Sequence, residues 1–141
     1  MTLPPRTLGQ SGEDAAASLL QARGYRILAR NFRCRWGEID IIAEEGGYLV
    51  FVEVKTRSGR GFGAPAEAVD PKKRQRLRRV AERYLYCRGP RGRGGEPPPC
   101  RFDVVTVVAV SAVGAMGSAG AVGAAAGGAL ELEVIRDAFS G

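Results

Sequence analysis

The chain has 141 residues, 45% of them hydrophobic, with a net charge of +6, three cysteines and no histidine. That length suits one domain, 1–141, with a buried core, and the positive balance favours a polyanionic partner, nucleic acid first. The missing histidine excludes Ser-His-Asp hydrolases, His-ligated zinc and nucleases with a His base, so any hydrolysis must run on carboxylates, lysine and a hard cation.

Positive charge comes from 18 Arg and only three Lys, so each lysine is worth locating. Cys34, Cys87 and Cys100 lack C-x-x-C spacing and leave an odd count, which argues against zinc and disulfides and for a reduced, cytoplasmic setting. The opening MTLPPRTLGQ has no apolar signal-peptide core. Ser11-Gly12-Glu13-Asp14 has the form that opens a helix, and Ala16, Leu19 and Leu20 follow at helical spacing until Gly24 ends the run. Glu13 then reads as an acid in the first turn, favourable at a helix N-terminus.

Residues 25–32, YRILARNF, resemble a short strand. Polar RCRWG leads into strand EIDIIA, turn EEGG and strand YLVFVEVK. Trp36 in RCRWG could stack on a base, but capping the core is the simpler expectation. TRSGRGFGAP reads as a loop, and Asp70-Pro71 as an N-cap with proline at the first helical position. The helix should run to about residue 86, with Leu77, Val80, Ala81, Tyr84 and Leu85 on one apolar face. A basic Gly/Pro-rich loop near 88–99 precedes strand RFDVVTVVAV, with LELEVIRDAF its expected partner.

Residues 104–130 carry no charge, but the segment near 111–129 is almost wholly Gly, Ala, Ser and Val, which gain little from lipid. It reads as a low-complexity loop and not as a membrane span. The predicted order is α-β-β-β-α-β-β, a mixed α/β or α+β domain.

Charge placement in the hairpin is the informative feature. With Gly46-Gly47 as the turn, Asp40 lies opposite Glu53 and Glu38 opposite Lys55; with Glu45-Gly46, Asp40 becomes a diagonal neighbour of Glu53 on the same face. Either register predicts one apolar face from Ile39, Ile41, Val50, Val52 and Val54. The other face is apolar near the turn, through Ile42, Leu49 and Phe51, and charged at its open end. Paired carboxylates repel, and a hydrated Mg²⁺ (or Mn²⁺) resolves that conflict while Lys55 offsets phosphate charge or helps deprotonate water. The plainer alternative is a structural Asp-Lys-Glu ion network at a sheet edge.

On the helix after Asp70, Lys72, Arg76, Arg79 and Arg83 fall on one side, opposite the apolar face, as a stripe suited to phosphate backbones. Arg57 adds a cation nearby, and Lys73, in the first turn, can lean toward the acidic cluster.

GEIDIIA followed by FVEVKTR resembles the D…E-x-K core of the restriction-endonuclease-like, or PD-(D/E)xK, nucleases. Together with the early GED, NFRCRWGEID, RFDVV and the terminal DAF, it resembles the YraN-like family of bacterial proteins, near the Holliday-junction-resolvase-like branch. The resemblance implies a restriction-endonuclease-like fold, Asp40 and Glu53 as metal ligands with the Val54 carbonyl as a third, Lys55 as the catalytic lysine, and Glu13 as a first-helix acid of the branch that cleaves branched DNA. Ile39 stands where the superfamily has proline. The expected function is metal-dependent cleavage of DNA, with a two-fold dimer suited to junctions. The alternative is a non-catalytic nucleic-acid-binding protein on the same fold.

Overall fold

A computed structural model describes residues 8–58, 70–88, 98–110, 121–125 and 128–139. The chain is a mixed α+β protein: α1 (Leu8–Ala22), β1 (Arg26–Cys34), β2 (Gly37–Glu45), β3 (Tyr48–Ser58), α2 (Pro71–Arg88), β4 (Cys100–Val110), β5 (Ala121–Ala125) and β6 (Gly128–Phe139). The strands form one six-stranded sheet in the order β1-β2-β3-β4-β6-β5. Only β3 and β4 pair in parallel, because α2 carries the chain back between them; the other pairs are antiparallel.

Alternation along the strands splits the core in two. Ala16 and Leu20 of α1 pack on one face, against Ile41, Val50, Val52, Val105 and Val107. Leu77, Val80 and Tyr84 of α2 pack on the other, against Ile42, Phe51, Phe102 and Val104. Tyr84 meets Phe32 and Phe51 edge-on, at 5.2 and 6.0 Å between ring centres, which fixes the rotation of α2 on the sheet.

The turn chemistry follows the sequence. Glu45 pairs with Tyr48 across Gly46 (φ 58) and Gly47 (φ 84), the two positive-φ positions of a type I′ turn. Asp70 caps α2: its Oδ1 accepts the Lys73 N–H at 2.8 Å. At the end of α1 the Tyr25 N–H bonds the Leu20 carbonyl and the Gly24 N–H that of Gln21, a Schellman closure.

Three expectations change. Helix α1 begins at Leu8, so Ser11 is interior, the first turn holds no acid, and Glu13 is not a helix-dipole residue. Gly12 is tolerated mid-helix because α1 presses there on β3: an added Cβ would lie 2.4 Å from the Thr56 Oγ1. Next, the stretch near 111–129 is not wholly loop. Ala121–Ala125 forms a strand on the edge of β6, where main-chain pairing outweighs the poor strand propensity of Gly and Ala. Lastly, Ile39 packs in the α2 cluster instead of beside Ile41. The β2–β3 ladder ends at Ile41 and Val52, and Asn31, which the β1–β2 register sets beside Asp40, has φ 55, so strict alternation is lost at this point. The loop after β3 and most of that after α2 lie outside the described residues. Among the described residues no helix is long and apolar enough to cross a membrane.

Candidate functional site

Beyond Ile41 and Val52 strands β2 and β3 separate, and the separation exposes backbone that a ladder would have paired. The Asp40 carboxylate fills that role: its Oδ2 accepts the Val54 N–H at 2.8 Å. A cleft of about 430 Å³ opens there, walled by Asp40, Glu53, Gly37 and Glu38, by Arg35 and Trp36 of the preceding turn, and by Lys73, Arg76 and Leu77 of α2. The two predicted acids therefore share one cavity, on the face that α2 covers.

Their electrostatics reflect the crowding. Burial pushes the Asp40 carboxyl up to about 7; the Glu53 charge adds to this, the Val54 N–H opposes it, and Glu13 and Glu38 contribute further repulsion. Glu53 is held by the Lys73 ammonium at 2.7 Å, in a pair whose side chains are 19% and 13% exposed. Lys55 reaches the same group through a hydrogen bond with the Lys73 amine. That bond, followed by burial and the Lys73 charge, lowers the Lys55 pKa. Burial alone would lower Lys73 as well, but its hydrogen bonds to Glu53 and Lys55 outweigh burial and leave it raised.

The structure thus joins Asp40, Glu53, Lys55 and Lys73, with Glu13 close enough for its charge to act on Asp40. Arg57 lies two positions beyond Lys55 on β3, and its charge also lowers the Lys55 pKa. Lys72, Arg76, Arg79 and Arg83 are exposed along α2, as the helical spacing predicts. Glu38 does not meet Lys55; the splayed strands leave it to bond Arg33 at 2.8 Å. Trp36 does not cap the core. It is 38% exposed, with the Arg35 and Arg79 guanidinium groups each 4.8 Å from its ring centre. The two-residue turn Arg35-Trp36 between β1 and β2 places its side chain at the rim, which the residue type alone does not reveal.

A second polar cluster was not foreseen. Asp103, fully buried, accepts the Tyr25 hydroxyl at 2.7 Å and two bonds from Arg101 at 2.9 and 3.0 Å. Arg101 also reaches Glu45 at 2.8 Å, which Arg136 holds from outside at 2.9 Å. Burial and the Asp103 bond push the Tyr25 hydroxyl up to about 12. The signal available in sequence was the R-x-D alternation at the start of a buried strand, where charge needs a partner. Nearby, a larger hollow of about 740 Å³ opens beside the Gly46-Gly47 turn. Its charged residues are already matched, Arg26 to Glu44 at 2.6 Å and Glu45 to Arg101, so the chemistry favours the smaller cleft.

Residues 12–107 match the Uncharacterised protein family UPF0102. The chain belongs to this family, the YraN-like proteins. It is 60% identical over 102 residues to the UPF0102 protein of Symbiobacterium thermophilum, covering 72% of this chain and 82% of that one. The UPF0102 protein of Moorella thermoacetica is 57% identical over 107 residues, covering 76% and 85%. That of Nocardia farcinica is 50% identical over 102 residues, covering 72% and 76%. The family match contains every candidate site residue and stops before the Gly/Ala-rich stretch and β5.

Proposed function

We propose that this UPF0102 protein is a metal-dependent nuclease on a restriction-endonuclease-like core, acting in the cytoplasm on DNA phosphodiesters and on branched or otherwise structured DNA in particular. The observation that carries the reading is the Asp40–Glu53 pair: two carboxylates that repel across a cleft lined by the Lys73 amine, to which Lys55 bonds, and flanked by the cationic side of α2.

The donor set fits a hard divalent cation. Asp40, Glu53 and the Val54 carbonyl would hold Mg²⁺ or Mn²⁺, and the repulsion that raises the Asp40 pKa is what a cation relieves. Among the described residues no three acids, cysteines or histidines converge as a closed cage. Mg²⁺ does not need one, since it keeps several waters and takes one or two carboxylates plus phosphate oxygens. When bound, such a cation supplies Lewis-acid polarisation of the phosphodiester. Lys55, its amine pKa lowered by Lys73, is suited to take a proton from an attacking water. Lys73 can leave Glu53 for a phosphate oxygen, which makes it part of the reacting group and not merely of the binding stripe. Lys72, Arg76, Arg79 and Arg83 would bind flanking phosphates without reading sequence. A two-fold dimer would place a pair of such clefts on a junction.

The test is incubation with linear, flapped and four-way DNA in Mg²⁺ or Mn²⁺. Wild type should yield product, while Asp40→Asn and Lys55→Ala should not, although both still bind when Ca²⁺ replaces Mg²⁺. Equal cleavage by wild type and Asp40→Asn removes the assignment. The 2.7 Å Lys73–Glu53 pair, which already neutralises one acid, favours a second reading: a nucleic-acid-binding protein without catalysis. It predicts salt-dependent binding that weakens as the α2 cations are neutralised, and no metal-dependent product.

A further inference from the structure

Trp36 is the chain's single tryptophan, and it sits at the mouth of the cleft. Its position is held from below. Gly37 (φ 138) lies so close to α2 that an added Cβ would be 3.3 Å from the Arg76 Cδ, so the turn carrying Trp36 rests directly on the helix. Arg35 from the turn and Arg79 from α2 both stand over the ring at 4.8 Å. Among the described residues neither guanidinium has a carboxylate partner. On β1, by contrast, Arg26, Arg30 and Arg33 each bond an acid at 2.6 to 2.9 Å. Two like charges over one indole repel, and a half-exposed aromatic surface beside them stays wetted. An anion with a flat apolar face satisfies both.

A nucleotide has that pairing of properties, but only where its base is free. In a duplex the bases stack on one another and offer this rim phosphates alone. An unpaired base offers a π-face for the indole or a guanidinium plane, and its own phosphate for the other arginine. Arg35, Trp36 and Arg76 line the same cavity as Asp40 and Glu53, so a base held at the rim has its phosphodiester beside the acids.

We infer that Arg35, Trp36 and Arg79 form a stacking subsite for an unpaired nucleobase adjoining the phosphodiester at the Asp40–Glu53 cleft, so that the preferred substrates carry single-stranded or flapped segments. This rests on the reading of the cleft as a phosphodiester site. The experiment follows the emission of Trp36 in the full chain, with Ca²⁺ in place of Mg²⁺, as oligothymidylate or a blunt duplex hairpin is added; anisotropy of labelled DNA reports binding separately. Oligothymidylate should quench the emission and the blunt hairpin should not. Trp36→Ala should lose about tenfold in affinity for oligothymidylate and little for the hairpin, with Trp36→Phe retaining most of it. Binding by anisotropy with unchanged emission would overturn the subsite and leave the nuclease reading standing. An equal loss on both DNAs would also overturn it, by giving Trp36 a purely structural place in the turn. Quenching without any cleavage in Mg²⁺ would support the subsite and remove the nuclease. No binding of either DNA removes both.

Discussion

Replacing Asp40 by Asn should stabilise the metal-free protein above neutral pH. The Asp40 carboxyl is pushed from its ordinary 3.8 up to about 7, first by burial and then by Glu53. Between those values the folded chain keeps a proton that the unfolded chain has already released. Stability from this group is therefore fully present below about pH 4 and is lost as pH rises through about 7. At about 1.4 kcal/mol per pH unit, the whole rise corresponds to about 4 kcal/mol. Asp40 is only partly buried and shares its shift with Glu53, so about half of that is realised. Asn keeps an oxygen for the Val54 N–H, and the charge on that bond is already counted within the Asp40 shift. The net gain is about 2 kcal/mol, or about 6 °C in Tm for a chain of this size. Thermal melts of both proteins in chelator should differ by this much near pH 8. They should converge as pH falls toward about 4, below which Asp40 is neutral in the folded and the unfolded chain alike. Mg²⁺ should then raise the wild-type Tm and leave that of Asp40→Asn unmoved. A variant less stable than wild type near pH 8, by the ~3 kcal/mol typical of a broken buried ion pair, would refute the reasoning and make Asp40 a structural anchor.

Lys73→Met removes the 2.7 Å partner of Glu53 and should cost about 2 kcal/mol in urea unfolding without metal, with part of the loss recovered in Mg²⁺. Gly12→Ala drives a methyl into the Thr56 side chain, 2.4 Å from its Oγ1 and 3.2 Å from its Cγ2. It should cost about 2 kcal/mol, and Thr56→Ala in the same chain should restore most of it. Tyr25→Phe takes the 2.7 Å hydroxyl bond from buried Asp103 and should cost about 1–2 kcal/mol, with no change in metal affinity measured by calorimetry, because Asp103 belongs to a separate cluster.

The parts of the fold that could be read from sequence are those set by short-range chemistry. Gly46-Gly47, Asp70-Pro71 and the alternation of YLVFVEVK each have a local cause, and the turn then determines which residues oppose each other on β2 and β3. Asp40, Glu53, Lys55 and the lean of Lys73 toward the acids were accessible for that reason. Ile39 and Glu38 were misplaced because both lie past the point where the strands splay and parity no longer applies, and Trp36 because its residue type does not reveal the rim position that the β1–β2 turn gives it. Helix α1 starts earlier than its Ser-x-x-Asp pattern suggests, since Gly12 answers to the approach of Thr56 and not to a cap. Strand β5 was invisible because its pairing with β6 uses main-chain groups, which Gly and Ala possess like any residue. The Tyr25–Arg101–Asp103 cluster joins positions 76 and 78 residues apart, a distance over which no spacing rule operates.

One structural event accounts for both the chemistry and the instability of the cleft. A ladder that continued past Ile41 and Val52 would pair the Val54 amide with backbone and close the space where Asp40 and Glu53 now stand. Splaying the strands trades those bonds for a carboxylate bond at Val54 and an ammonium bond at Glu53, and it leaves Asp40 repelled by three other acids. A sheet selected for stability alone would replace Asp40 with a β-branched apolar residue and extend the core by one more contact with Leu77 or Val80. A cost confined to this end, next to arginines at Trp36 that have no carboxylate partner among the described residues, is the pattern expected where a ligand with both negative charge and an aromatic face completes the site.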